Sequence, residues 1–164
     1  MKRIIWHWTA GTNKATAEDK EHYHFIIEGD GSIVTGDFPP EANLAPKKGK
    51  YAAHTLNCNT GSIGISLAAM AGAVERPFSH GRFPITQDQI NALTRLTARL
   101  CVKYRIPVER ETVLSHAEVQ PTLKIKQRGK WDISWMPGMT APSDPVKVGD
   151  FLRGMTAALM PEEK

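Results

Sequence analysis

Cysteine is scarce in this chain: Cys58 and Cys101 are the only two in 164 residues. That is too few for a disulfide framework at this length, so each is expected to be a small buried hydrophobe. Long hydrophobic runs are missing as well. Nothing approaches 18 consecutive apolar residues, which argues against a membrane span and against stable membrane association. Behind Met1-Lys2-Arg3, only Ile4, Ile5 and Trp6 precede His7, so no secretory h-region is present. The expectation is a product synthesised in the cytoplasm without a signal peptide. There is no internal repeat, no low-complexity tract and no compact HExxH metal motif. The charge is not strongly one-sided: 21 Lys and Arg against 17 Asp and Glu give a net charge of +4 and a pI near 9.1. Such a mild excess suits an acidic polymer, either nucleic acid or a carboxylate-rich wall.

What is present reads as one α/β domain over residues 1–164, with a central mixed sheet flanked by helices. Residues 2–7 have the pattern of a strand, and "YHFIIE" at 23–28 that of a second. "GDGS" at 29–32 turns the chain into a hairpin with Ile33 and Val34. Three prolines and three lysines between Asp37 and Lys50 mark a loop able to border a cleft. "SIGISLAAM" at 62–70, with Gly64 inside it, fits a central strand buried on both faces. The clearest helix starts at Thr86, with Gln89 completing a capping box and Ile85 placed to staple onto Ile90. Ile90, Leu93, Leu96, Leu100 and Tyr104 then recur at helical spacing. "TVLSH" at 112–116 reads as a further strand, and 144–160 as a closing helix.

Two of these strands end in histidine, His7 and His116, and "GKWDISW" offers a carboxylate, Asp132. Neutral imidazoles with a carboxylate are a donor set that zinc accepts, leaving one tetrahedral position for water. Strand ends are rigid places to hang such ligands. The spacing by itself leaves a hydrogen-bonded structural role open for either histidine.

The ordered set of motifs resembles the zinc-dependent N-acetylmuramoyl-L-alanine amidases, the type 2 family that includes phage T7 lysozyme and animal peptidoglycan recognition proteins. "IIWHWTAG" is similar to the family's first-ligand strand, "YHFIIEGDGSI" to its tyrosine-histidine strand and hairpin, and "AAHTLNCNTGSIGISL" to its central segment. "LSHAEV" resembles the second-ligand strand and "KWD" the lysine-x-ligand motif. The resemblance implies a peptidoglycan recognition protein-like fold, Zn²⁺ as cofactor, and His7, His116 and Asp132 as metal ligands. It makes Tyr23 and Lys130 catalytic partners and places His54 in the substrate cleft. Zinc so held would lower the pKa of a bound water toward about 7. Lys130 suits an oxyanion, and Tyr23 can orient water or donate through its phenol.

Fifteen residues, Ala117 to Trp131, separate the second histidine from Asp132, longer than is usual in the family, so Glu118, Asp144 and Cys58 compete for the third position. Trp8 can stack on sugar or pack in the core. Asn57 and Asn59 can bind peptide carbonyls or stabilise a turn. His24 points to the face opposite Tyr23, as a structural residue would, and His22 and His80 read as exposed. Lys124, Lys126, Arg128 and Lys130 alternate along a basic stretch that suits phosphate, yet no nucleic-acid motif surrounds them. The expected partner is therefore peptidoglycan or a muropeptide rather than nucleic acid, with a monomer as default. Three functions fit: an endolysin acting on the wall after release, a cytoplasmic amidase recycling anhydro-muropeptides, and a binding module without metal. Two histidines and a carboxylate argue against the last.

Overall fold

The computed structural model describes residues 1–161. A five-stranded sheet has the order β3-β2-β4-β1-β5, where β1 is Arg3–Trp8, β2 Phe25–Ile27, β3 Ile33–Thr35, β4 Ser62–Leu67 and β5 Val113–Ser115. Only the β2–β3 hairpin is antiparallel; β2, β4, β1 and β5 run parallel. The helices are α1 (Ala17–His22), α2 (Gln87–Tyr104), α3 (His116–Leu123) and α4 (Pro145–Ala158), and the 37–50 loop contains one 3-10 turn, Pro40–Asn43. This is the expected mixed sheet flanked by helices.

Strand periodicity sorts the chemistry onto two faces. On one, Ile4, Trp6 and Trp8 of β1 and Ile63, Ile65 and Leu67 of β4 join Ile90, Leu93, Leu96 and Leu100 of α2 in the main core. Each such side chain, fully buried, contributes about 1.5–3 kcal/mol. The Trp6 indole donates to Thr97 Oγ1 at 3.0 Å, so even its polar atom is satisfied. On the other face β4 presents Ser62, Gly64 and Ser66. All six residues of β4 are buried as expected, but the run alternates large apolar with small, and the small side leaves room for functional side chains. A Cβ on Gly64 would lie 2.6 Å from His54 Cγ, which explains a glycine in a central strand.

The α2 cap forms as the sequence predicts, with Thr86 and Gln89 exchanging hydrogen bonds. The Gln89 amide also donates to the Ile27 and Ala68 carbonyls at 2.9 Å, tying the helix start to the strand ends. One boundary is different: the strand read as 112–116 stops at Ser115, and His116 is the first residue of α3. The cause is the S-x-x-E sequence, since the Glu118 carboxylate accepts from the Ser115 backbone N–H at 2.7 Å and starts a helix there. The Glu118 carboxylate also meets Arg153 of α4 at 2.7 Å. Gly149 permits this approach, because a Cβ there would sit 2.3 Å from both carboxylate oxygens.

Candidate metal centre

His7 leaves β1 on the small-residue face, next to Ser66 of β4 in register. His116 emerges at the neighbouring edge, from the turn between β5 and α3. Asp132 returns to it after the 117–131 excursion, and the Ala117 backbone N–H donates to the Asp132 carbonyl at 2.7 Å. That bond closes the excursion and brings three distant residues together. His7 Nδ1 lies 3.1 Å from His116 Nδ1 and 3.5 Å from Asp132 Oδ2, which is 3.6 Å from His116 Nδ1. All three residues are buried.

The surrounding hydrogen bonds fix which ring nitrogens carry protons. His54 Nε2 faces the Ser62 carbonyl at 3.2 Å, which can only accept, so His54 Nε2 holds the proton and its Nδ1 accepts. His7 Nε2 lies 3.1 Å from that Nδ1 and 3.4 Å from the Thr55 hydroxyl, which itself stands 2.7 Å from His54 Nδ1, so a proton on His7 Nε2 has acceptors on this side. The Gln127 amide nitrogen donates to the Leu56 carbonyl at 2.8 Å, which leaves Gln127 Oε1 to accept from His116 Nε2, also at 2.8 Å. A neutral ring protonated on Nε2 leaves its Nδ1 bare, and in that tautomer both histidines turn a lone pair toward the same point. Two lone pairs and a carboxylate oxygen converging in a buried place call for a cation. Donor separations of 3.1–3.6 Å match the roughly 3.3 Å spacing of tetrahedral ligands at about 2.0–2.1 Å from zinc. The residues fit the metal.

The electrostatics agree. Burial lowers the His7 pKa to about 4, against the attraction of the Asp132 carboxylate, and burial holds His54 well below its ordinary value, aided by its histidine neighbours. Burial opposes the charge on Asp132, but its contacts with His116 and His7 outweigh that and keep its carboxyl below the usual range. Burial thus favours neutral His7 and His54 beside an ionised Asp132.

The family described as N-acetylmuramoyl-L-alanine amidase, Amidase_2, matches residues 1–138. The chain belongs to this amidase family. The matched span contains His7, His116 and Asp132, whereas α4 lies beyond it. Among solved structures, N-acetylmuramoyl-L-alanine amidase LysC from Clostridium intestinale is similar in fold, with 20% identity, 92% of this chain and 83% of that chain covered, and a TM-score of 0.53. Peptidoglycan recognition protein SA of Drosophila aligns at 14% identity over 71% of this chain and 68% of its own, with a TM-score of 0.44. A search of curated protein sequences returns no significant match.

Around the amidase's metal centre, Tyr23 caps the end of α1, and its ring centroid lies 5.2 Å from that of His7. Burial, with the nearby Asp132 charge, pushes its phenol pKa up, so the hydroxyl stays protonated and can donate. Lys130 is exposed and lines a cavity of about 340 Å³ together with Trp8, Tyr23, His54, His116 and Asp132. Lys130 also borders two neighbouring cavities. One, of about 630 Å³, has Glu75, Phe78 and Trp131 in its wall; the other, of about 330 Å³, has Thr55, Leu56 and Arg128. The three cavities share Lys130, and the cleft they outline is lined by His116 and Asp132, with His7 buried behind them.

Trp8 touches that cleft with only 8% of its surface exposed, because its ring packs edge-to-face on Trp131 at 4.6 Å. Asn57 is exposed at φ 56°, a left-handed position that asparagine tolerates. Asn59 Oδ1 accepts from the backbone N–H groups of both His54 and Thr55 at 2.9 Å and so holds the turn. His24 is fully buried, donating to Asn43 Oδ1 at 2.9 Å and accepting from Gly64 N–H at 3.0 Å. His22 and His80 are exposed.

The competitors for the third ligand are all elsewhere. Glu118 pairs with Arg153, exposed Asp144 caps α4, and Cys58 packs with Ile5, Leu114 and Val119. Both cysteines are buried and free. Sequence reasoning overlooked Gln127, buried within a stretch whose Lys124, Lys126, Arg128 and Lys130 are all exposed. Being the one uncharged polar residue of that basic run does not by itself point to a role.

Proposed function

We propose that this amidase is zinc-dependent and hydrolyses the amide between the lactyl group of N-acetylmuramic acid and the L-alanine of the peptidoglycan stem, acting on the wall as a phage or prophage endolysin. The observation that carries the reading is the convergence of two imidazole Nδ1 atoms and the Asp132 carboxylate in a buried place. His7, His116 and Asp132 would hold the metal, which when bound supplies Lewis acidity toward water and the amide carbonyl. Lys130 stands at the junction of the cleft, where a positive charge stabilises the oxygen that turns negative as the carbonyl becomes tetrahedral. Tyr23, kept protonated, donates a hydrogen bond to the same centre. The C–N bond then breaks, the muramyl carbon keeps the oxygen from water, and the alanine nitrogen leaves as an amine after taking a proton. The net positive charge suits an acidic wall.

The deciding experiment incubates the purified chain with intact sacculi and, separately, with soluble anhydro-muropeptide, and measures new L-alanine amino termini. Release from sacculi that stops with chelator and returns with zinc is the expected result. Cleavage of the soluble fragment alone would replace the endolysin role by recycling, and no new amino terminus from either would leave a binding module.

A further inference from the structure

The 117–131 excursion carries a residue whose contacts serve a ligand rather than the fold. Gln127 is 6% exposed, although residues 124, 126, 128, 129 and 130 around it are all exposed. Every polar group it owns toward the interior is used. Its Nε2 donates to the Leu56 carbonyl at 2.8 Å, its Oε1 faces His116 Nε2 at 2.8 Å, and its backbone N–H donates to Gln120 Oε1 at 2.8 Å. Gln120 belongs to α3, the helix that His116 begins, so the amide is braced from the same element it supports.

We propose that Gln127 is the positioning residue of His116: it accepts the Nε2 proton, fixes the ring plane and turns the bare Nδ1 to the metal. The inference rests on the zinc reading above. Its logic repeats on the other ligand, where His54 accepts from His7 and is itself anchored on the Ser62 carbonyl. Each relay ends on a backbone carbonyl, Leu56 in one case and Ser62 in the other, and a carbonyl has no proton to give. Both carbonyls belong to one segment, 54–62, and on the His7 side the Thr55 hydroxyl of the same segment also contacts His54 Nδ1 at 2.7 Å. Partners of this kind that hold a ligand's second nitrogen typically change metal affinity about 10–100-fold when lost.

Two substitutions separate positioning from mere packing. Gln127→Met keeps the volume and removes both hydrogen bonds. Gln127→Glu keeps the acceptor facing His116 and loses the donor to Leu56. Zinc affinity is measured by competition with a chromophoric chelator, alongside the melting temperature of each metal-free variant. Gln127→Met is expected to bind zinc about 10–100-fold more weakly, and Gln127→Glu at least as tightly as wild type, while the two metal-free melting temperatures stay close to each other. Two-bond ¹H–¹⁵N spectra of the metal-free protein should show His116 as the Nε2–H tautomer in wild type and as a mixture in Gln127→Met. Equal affinity of wild type and Gln127→Met, or a parallel loss in both variants, overturns the positioning role. Failure of wild type to bind zinc at all would instead overturn the metal reading.

Discussion

The two sides of the metal centre are built differently. His7 rides on β1, which is paired in parallel with β4 along its whole length and with β5 beyond it, and five of its six residues are buried. His116 and Asp132 belong to an excursion at the sheet edge, held by the Ala117–Asp132 backbone bond, Gln127 and the buried Glu118–Arg153 pair. One ligand is fixed by the core and two by a small number of polar contacts. Damage to the His7 side should therefore spread into folding, and damage to the excursion should first be felt by the metal.

The largest effects test the excursion. Asp132→Ala is expected to lower bound zinc after reconstitution to about 0.2 per chain or less, read by metal analysis, with the fold retained because the bond from the Ala117 N–H of α3 to the residue-132 backbone carbonyl survives the substitution. Full occupancy would move the third-ligand role to another residue. Lys130→Ala should keep its zinc, since Lys130 is exposed and outside the ligand group, while turnover falls about 10²–10³-fold. Loss of zinc in that variant would break the separation between holding the metal and stabilising charge.

The same contrast explains what could be read from the sequence. β1, the hairpin, β4 and α2 each carry a local signal of alternation, turn residues or capping; β1, the hairpin and α2 lie within two residues of their expected bounds, and β4 ends three residues early, at Leu67 rather than Met70. The excursion has no such period. Its S-x-x-E start overlaps the end of a strand, since Ser115 closes the extended Val113–Ser115 run, and the Glu118–Arg153 contact spans 35 positions of chain. Asp132 was reachable as a ligand through its family-like "KWD" motif, not through spacing. Gln127 was not reachable at all, because its role depends on the Leu56 carbonyl 71 positions away. Periodic signals report burial of whole faces, while single polar contacts across the fold leave no pattern.

Smaller effects should appear in stability. Arg153→Ala leaves Glu118 buried without its charge partner, and it also removes a donor from the Val113 carbonyl. The expected cost is about 3–5 kcal/mol in urea unfolding, with Glu118→Gln in the Arg153→Ala background recovering part of it. No recovery would show that the arginine acts by packing. On the His7 side, Gly64→Ala forces a methyl into the His54 ring, and overpacking of this kind costs about 1–3 kcal/mol. Because His54 holds His7, zinc affinity should fall together with stability. A variant that loses stability and keeps affinity would show that the His7 relay tolerates displacement.

The mildest test concerns His24, the histidine that shares this face but serves only the fold. Burial lowers its pKa from 6.5 to about 4 in the folded chain, opposed in part by its hydrogen bond to Asn43. A second ring proton would sit on Nδ1, facing the Gly64 N–H at 3.0 Å, two donors head to head. The sign follows from which state takes up the proton. Above pH 6.5 both states are neutral, and stability from this group does not vary. As pH falls from about 6.5 toward 4, the unfolded chain binds a proton that the folded chain refuses, so stability drops, by about 1 kcal/mol for each pH unit below 6.5. In metal-free protein His7 contributes with the same sign, so the measurement compares wild type with His24→Gln, which can still accept from Gly64 and donate to Asn43. Between pH 7.5 and 5.5 the wild type should lose about 1 kcal/mol more than the variant. Parallel loss in both would assign the acid sensitivity to the metal ligands instead.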